Sequence, residues 1–88
     1  MSKISLEIYV EQGCFACQRS LQIAEQIQKN FPNVEVRTVD ISHDGGTYSH
    51  LVTATPTFVL NGRVFSLGNP DAEDLEEAIL GLMTRDDS

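Results

Sequence analysis

A pair of cysteines, Cys14-Phe15-Ala16-Cys17, stands where a strand pattern changes into a helix pattern. Before the pair, apolar and polar residues alternate from Ile4 to Val10, which is typical of a β-strand with one buried face. After it, the helical spacing is kept by the apolar residues Leu21, Ala24, Ile27 and Phe31, and Pro32 ends that pattern. These four residues form the only C-x-x-C motif, and any thiol chemistry depends on its two cysteines because the chain has no others.

The segment after the first helix predicts a second strand over residues 34–39, where β-branched residues are frequent. Two strands joined by one helix of this length form a parallel, right-handed βαβ unit. Further on, Asn61-Gly62 predicts a tight hairpin between a strand at Thr57–Leu60 and a strand at Arg63–Leu67. A short helix over Thr47–Val52 has only a weak pattern.

The last segment predicts a helix with Asn69 as its N-cap and Pro70 at its first position. Its apolar stripe consists of Leu75, Ile79, Leu82 and Met83. The predicted fold is therefore α/β, in the order βαβαββα, with a four-stranded mixed sheet. Residues 1–88 make one domain, in which Phe58 and Phe65 are core residues and residues 84–88 form a frayed tail.

Composition excludes several classes of function. The formal net charge is −7, whereas a nucleic-acid partner calls for clustered Lys and Arg. No apolar run approaches the ~20 residues of a membrane-spanning helix, and the amino terminus does not read as a signal peptide. We therefore expect a cytoplasmic monomer that contacts neither membrane nor nucleic acid. In that compartment a C-x-x-C motif indicates redox or metal chemistry more often than a structural cross-link.

The position of the two cysteines predicts different roles for them. The thiolate is the reactive form in disulfide exchange, and a free cysteine has a pKa near ~8.5. Cys14 falls where the first helical turn starts, where unpaired amides and the helix dipole favour an anion. Cys17 lies further into the helix on the same side. We therefore expect Cys14 to attack and Cys17 to resolve the mixed disulfide.

Metal binding is the alternative that the motif leaves open. A structural zinc site usually has four ligands, and the other soft ligands of this chain are His43 and His50. The spacing of these two histidines exceeds the usual H-x3–5-H, so the favoured interpretation is that they are solvated loop residues and that no metal is bound. Arg19 is expected to be helix surface, although it could also lower the pKa of a neighbouring cysteine.

The chain resembles the thioredoxin family over nearly all of its length. The resemblance rests on the C-x-x-C after the first strand, on the order of elements, and on Ala54-Thr55-Pro56-Thr57-Phe58. The last stretch is similar to the family segment in which a cis-proline begins a strand that faces the cysteines. The resemblance implies a cis bond before Pro56, pairing of the Thr55 backbone with a bound substrate, and no organic cofactor beyond the Cys14–Cys17 disulfide.

The chain also departs from the patterns within this family. Thioredoxins proper carry Trp before the first cysteine and Gly-Pro between the two, where this chain has Gly13 and Phe15-Ala16. Their buried aspartate corresponds to Ile8. Glutaredoxins place Lys ahead of the motif and Gly-Gly-x-Asp before the last helix, whereas Glu11-Gln12 and Gly68-Asn69-Pro70-Asp71 stand here. The reducing partner, a reductase or a thiol donor such as glutathione, is therefore left open.

The resulting hypothesis is thiol–disulfide exchange with protein disulfides, catalysed by Cys14 and Cys17. Thr55 and Pro56 are expected to shape the substrate groove, and Phe15 either contacts a partner protein or is simply an exposed apolar residue. Two other functions stay open. One is a soft-metal carrier of the copper type that uses the same cysteines, and the other is a thioredoxin-fold interaction module that does not turn over.

Overall fold

A computed structural model of the chain describes residues 3–43 and 55–86. The elements are the strands β1 (Ser5–Val10), β2 (Glu35–Asp40), β3 (Thr57–Leu60) and β4 (Arg63–Leu67), the α-helices α1 (Cys17–Asn30) and α2 (Ala72–Asp86), and a short 3-10 helix at Ile41–His43. The predicted helix over residues 47–52 lies outside the described residues. Neither α1 nor α2 is long and apolar enough to cross a membrane.

The strands form one four-stranded mixed sheet in the order β2-β1-β3-β4. Strand β1 pairs in parallel with β2, as the βαβ prediction requires, and antiparallel with β3. Strand β4 returns beside β3 through a turn in which Asn61 and Gly62 both have positive φ, at 50° and 81°. That conformation is the one that makes Asn-Gly a hairpin signal. The α/β class and the mixed sheet are confirmed.

Both α-helices contribute to one core on the same face of the sheet. Alternation along β1 turns Leu6 and Ile8 toward this core, where both are fully buried, and Phe58 of β3 is buried beside them. The buried members of the cluster are Ile4, Leu6, Ile8, Ile23, Ala24, Ile27, Val34, Phe58, Leu60, Leu75 and Ile79. Phe65, Leu82 and Met83 are partly buried against it, which agrees with the predicted stripe of the last helix.

The opposite face of the sheet carries a smaller apolar cluster. It is built on Tyr9 and Val59, with Val39 and Ile41 partly buried beside them. The phenol of Tyr9 donates a hydrogen bond of 3.2 Å to the Glu7 carboxylate, and Glu7 forms an ion pair with Arg37 at 3.5 Å. The mixed side of β1 therefore lies on this face, as its alternating pattern predicts.

Three details of the helices differ from the sequence-based expectation. Leu21 is 46% exposed, because it lies about 100° around α1 from the buried Ser20, at the margin of the apolar stripe. Helix α2 is capped by Asp71 and not by Asn69: the Asp71 carboxylate accepts the backbone N–H of Glu73 at 2.9 Å. Helix α2 also continues to Asp86, beyond the point at which the tail was expected to fray.

Candidate functional site

The two cysteines lie between β1 and α1 and are joined by a disulfide. Their Cα atoms are 5.3 Å apart, inside the range that a disulfide spans without backbone movement. Cys17 is the first residue of α1, whereas Cys14 lies three residues earlier, in the turn that leads into the helix. The helix thus begins at Cys17, about one turn after Cys14, where the sequence predicts its start.

Hydrogen bonds define the turn that holds Cys14. Its N–H donates to the carbonyl of Glu11 at 3.3 Å, and its own carbonyl accepts the N–H of Cys17 at 3.2 Å. Gly13 precedes it with φ of 80°, a conformation that glycine adopts without the penalty a side chain would bring. The backbone between strand and helix is therefore folded tightly enough to bring the two sulfur atoms together.

The two cysteines differ in their access to solvent. Cys17 is buried, with 5% of its surface exposed, and Cys14 is partly buried. Between them, Phe15 projects into solvent with 90% of its surface exposed. A reagent or a second protein therefore reaches Cys14 and Phe15 before it reaches Cys17.

The start of α1 carries no competing anion. Ala16 is the N-cap residue and makes no side-chain capping hydrogen bond, and the first turn holds no acidic residue. Within the described residues, the N–H groups of Phe15 and Ala16 donate no hydrogen bond. Because the dipole of a helix is positive at this end, the turn between the cysteines is suited to a negative charge on sulfur.

The segment with the predicted cis-proline is tied to the cysteine loop by one hydrogen bond. The Thr55–Pro56 peptide bond is cis, as the family resemblance implies. The hydroxyl of Thr55 donates to the carboxylate of Glu11 at 2.6 Å, and the carbonyl of the buried Pro56 accepts the N–H of Gly68 at 2.7 Å. Thr55 is thus held against the loop that carries Cys14.

A second contact ties the same loop to the end of β2. The N–H of Gln12 donates to the hydroxyl of Ser42 at 3.3 Å. That hydroxyl in turn donates to the carboxylate of Asp40, which also accepts the N–H of Ser42 at 3.0 Å. The loop therefore rests on a local turn at the carboxyl end of a parallel strand, where α/β folds commonly place their functional sites.

A third contact holds the start of α1 from the side of α2. The amide of Asn69 donates to the carbonyl of Ala16 at 2.9 Å and accepts the hydroxyl of Ser20. Ser20 is fully buried, so its hydroxyl requires such a partner. Asn69 thus positions the turn between the cysteines, a role different from the helix cap that its place before α2 predicts.

Sequence reasoning proposed the cysteines, Phe15 and the cis-proline segment as the site, but it did not identify the residues that hold them in place. The missed residues are Glu11, Ser42 and Asn69. An Asp side chain often bonds to the backbone two residues later, and Asp40 accepts the N–H of Ser42 in this way. The contacts of Glu11 and Asn69 span 44 and 53 residues of sequence and have no local signal.

The remaining candidates contribute little to the described site. The guanidinium of Arg19 donates to the side chain of Gln22 at 3.2 Å, on the exposed surface of α1. Within the described residues, no three His, Cys, Asp or Glu side chains are grouped as metal ligands would be. His50 lies outside those residues, so its interpretation as a solvated loop residue stays a prediction.

The fold and the cysteine pair agree with comparisons to known proteins. The family model for the thioredoxin domain matches residues 4–80. A thioredoxin of Methanocaldococcus jannaschii is 31% identical over 81 residues, covering 90% of this chain and 95% of the relative. A probable thioredoxin of Methanothermobacter thermautotrophicus is 27% identical over 78 residues, covering 86% and 92% of the two chains.

Solved structures lead to the same family. The thioredoxin of Fasciola hepatica superimposes with a TM-score of 0.70 at 26% identity, over 89% of this chain and 79% of that one. Thioredoxin O2 of Arabidopsis thaliana has a TM-score of 0.71 at 21% identity, over 92% and 76%, and supports the fold alone. With its two cysteines bridged at the start of α1, this chain belongs to the thioredoxin family and is a thiol–disulfide oxidoreductase.

Proposed function

We propose that this protein exchanges its Cys14–Cys17 pair with disulfides of other proteins, with Cys14 as nucleophile and Cys17 as resolving thiol. The observation that carries the proposal is the unequal burial of the pair: Cys17 is 5% exposed, while Cys14 lies in the outer turn. A resolving thiol has to react only with its neighbour and can be buried. A thiol that attacks a second protein has to be reachable.

The environment of Cys14 supports its role as the nucleophile. The N–H groups of Phe15 and Ala16 donate to no acceptor within the described residues, and the positive end of α1 lies one turn away. Both features stabilise a thiolate more than a thiol. We therefore expect the pKa of Cys14 in the reduced protein to lie below the ordinary ~8.5 of a free cysteine.

The reaction consists of two exchange steps. The Cys14 thiolate attacks one sulfur of the substrate disulfide, that S–S bond breaks, and the departing sulfur takes up a proton. Cys17 then loses its proton and attacks the Cys14 sulfur, which releases the second substrate thiol. The substrate disulfide is thereby reduced to two thiols, and the cysteine pair is oxidised to the disulfide seen here.

The proposed substrate surface is formed by Phe15, Thr55 and Pro56. Phe15 is 90% exposed beside the disulfide, so an apolar contact with a partner protein would remove its ring from water. Thr55 is held at the cysteine loop by Glu11, which supports the pairing of its backbone with a substrate chain that reaches Cys14. The protein partners are disulfide substrates and a reductase or thiol donor, met by a monomer in the cytoplasm.

Single cysteine variants test this division of roles. Cys17→Ser keeps the attacking thiol and removes the resolving one, so it should accumulate mixed disulfides with added protein disulfides. Cys14→Ser should trap almost none, because its remaining thiol is buried. Alkylation rates measured against pH on each variant give the two pKa values. A faster, more acidic Cys17, or no trapped substrate with either variant, would contradict the proposal.

A further inference from the structure

Glu11 is the residue that joins the two halves of the site. It follows directly after β1, its carbonyl accepts the N–H of Cys14, and its carboxylate accepts the Thr55 hydroxyl at 2.6 Å. The side chain is exposed. A substrate chain that pairs with Thr55 while its disulfide meets Cys14 would therefore pass beside this carboxylate.

The charge of Glu11 is not neutralised within the described part of the chain. The ion pair found there joins Arg37 to Glu7, and Glu11 has no such partner. Arg19, the base nearest to the cysteines in sequence, directs its guanidinium to Gln22. A second carboxylate, Asp40, supports the other side of the same loop through Ser42. The Glu11 carboxylate is thus a negative charge on the loop that leads to Cys14.

We propose that Glu11 determines substrate specificity by favouring disulfides flanked by Lys or Arg and disfavouring those flanked by Asp or Glu. The inference rests on the proposed exchange with peptide disulfides and adds the charge of the substrate to it. An exposed pair of opposite charges changes a rate or an affinity by up to about fivefold. The preference is electrostatic, so it declines as salt screens the pair over distances near ~10 Å.

Two disulfide-linked peptides that differ only in one Lys or Glu beside the cysteine test this proposal. The readout is the second-order rate constant for their reduction by the fully reduced protein at low ionic strength. The natural protein should reduce the Lys peptide about fivefold faster than the Glu peptide. Glu11→Gln keeps an acceptor for Thr55 and should remove most of the preference. Glu11→Lys should reverse the preference, which a merely structural role of this side chain cannot do.

Glu35→Gln is the matched control. Glu35 is an exposed residue of β2 whose backbone lies opposite Ser5, at the other end of β1 from Glu11, and its variant should keep the full preference. Thr55→Val removes the hydrogen bond but not the charge, so the Lys peptide should still react faster. Adding about 0.5 M salt to the natural protein should screen the charge of Glu11 and reduce the preference for the Lys peptide, which tests the proposal without a variant.

The outcomes separate the two proposals. Equal rates in the natural protein, a preference that Glu11→Gln leaves undiminished, or a preference that Glu11→Lys leaves unreversed would each overturn the role of Glu11 while exchange itself stands. A natural protein that reduces neither peptide, and no other protein disulfide, would overturn the proposed function itself. Urea unfolding of each variant, compared with Glu35→Gln, shows that the proteins tested are folded.

Discussion

The two α-helices in the described part of the chain begin in opposite ways. Helix α2 is capped by the Asp71 carboxylate and carries Glu73 and Asp74 in its first turn. Helix α1 has Ala16 at its N-cap, no side-chain cap and no acid in its first turn. The first N–H groups of any α-helix lack partners within the helix and lie at the positive end of its dipole. In α2 the protein's own acidic side chains interact with these N–H groups. In α1 the first-turn N–H groups of Cys17, Gln18 and Arg19 donate to backbone carbonyls, and the N–H groups of Phe15 and Ala16, just before the helix, are left for the cysteine sulfur atoms.

The difference shows that one helix start, that of α2, contributes to stability, while the other, that of α1, is available for the chemistry of the cysteines. An acidic cap on α1 would stabilise the helix but would place a second negative charge beside the Cys14 thiolate. Without such a cap, the start of α1 depends on contacts from elsewhere: Asn69 holds it from the side of α2, and Ser42 holds the preceding loop from the end of β2. Substitutions at the two helix starts should therefore affect different properties.

The largest expected effect concerns Asn69, which is the link between the two helix starts. Asn69→Ala removes the hydrogen bonds to the Ala16 carbonyl and to the buried Ser20 hydroxyl. We expect a loss of about 1.5 kcal/mol in the free energy of unfolding, measured with urea. Asn30→Ala serves as the control, because Asn30 also joins α1 to α2, through Glu76, but on an exposed surface. Asn30→Ala should reduce the free energy of unfolding by less than about 0.5 kcal/mol. Equal losses in the two variants would contradict the prediction.

The second effect concerns the α2 cap. Asp71→Ala leaves the N–H of Glu73 without its acceptor and should reduce the free energy of unfolding by about 1 kcal/mol. Asp71→Ser, which keeps a capping oxygen, should restore most of the loss. The alkylation rate of Cys14 in the reduced protein should stay unchanged in both. A change in that rate would mean that the two helix starts are not independent.

The third prediction concerns α1, which is given an acidic cap like that of α2. Ala16→Asp places a negative charge and a capping oxygen between the cysteines, at an exposed position. The like charge should raise the pKa of Cys14, which lowers its thiolate fraction and alkylation rate about threefold at pH values below that pKa. Ala16→Asn supplies the cap without the charge and should change the rate less. An unchanged or faster rate with Ala16→Asp would show that the open helix start does not activate Cys14.

Much of this architecture could be predicted from local patterns. Alternation places Leu6 and Ile8 in the core, helical spacing places Leu75 and Ile79 there, and the Asn61-Gly62 dipeptide gives the hairpin. Each of these signals depends on residues that are close in sequence, and each is confirmed. The cis bond at Pro56 came from the family resemblance, since nothing local distinguishes it from a trans bond.

The support of the site could not be predicted because its contacts are long in sequence. Asn is a residue type that often caps helices, and Asn69 stands just before α2. Only its three-dimensional position beside Ala16 shows that it binds the start of α1 instead. Glu11 looks like a polar loop residue until Thr55, 44 residues later, is seen to bind its carboxylate. Leu21 was assigned to the buried stripe by spacing, but the fold turns α1 toward Ser20 and Ile23.

The smallest expected effect tests whether charge alone, without a cap, distinguishes the two helix starts. Glu73 lies in the first turn of α2, while the exposed Glu77 lies one turn further along the same helix. Because the dipole interaction is confined to the first turn, Glu73→Gln should cost about 0.4 kcal/mol of unfolding free energy at low salt, and Glu77→Gln should cost almost nothing. The Glu73 loss should fade as salt is added, whereas a capping loss at Asp71 should persist, since a hydrogen bond is not screened in the same way. Equal effects at Glu73 and Glu77 would assign the stability of α2 to its cap and to its packing through Leu75 and Ile79, with no part for the acids of its first turn.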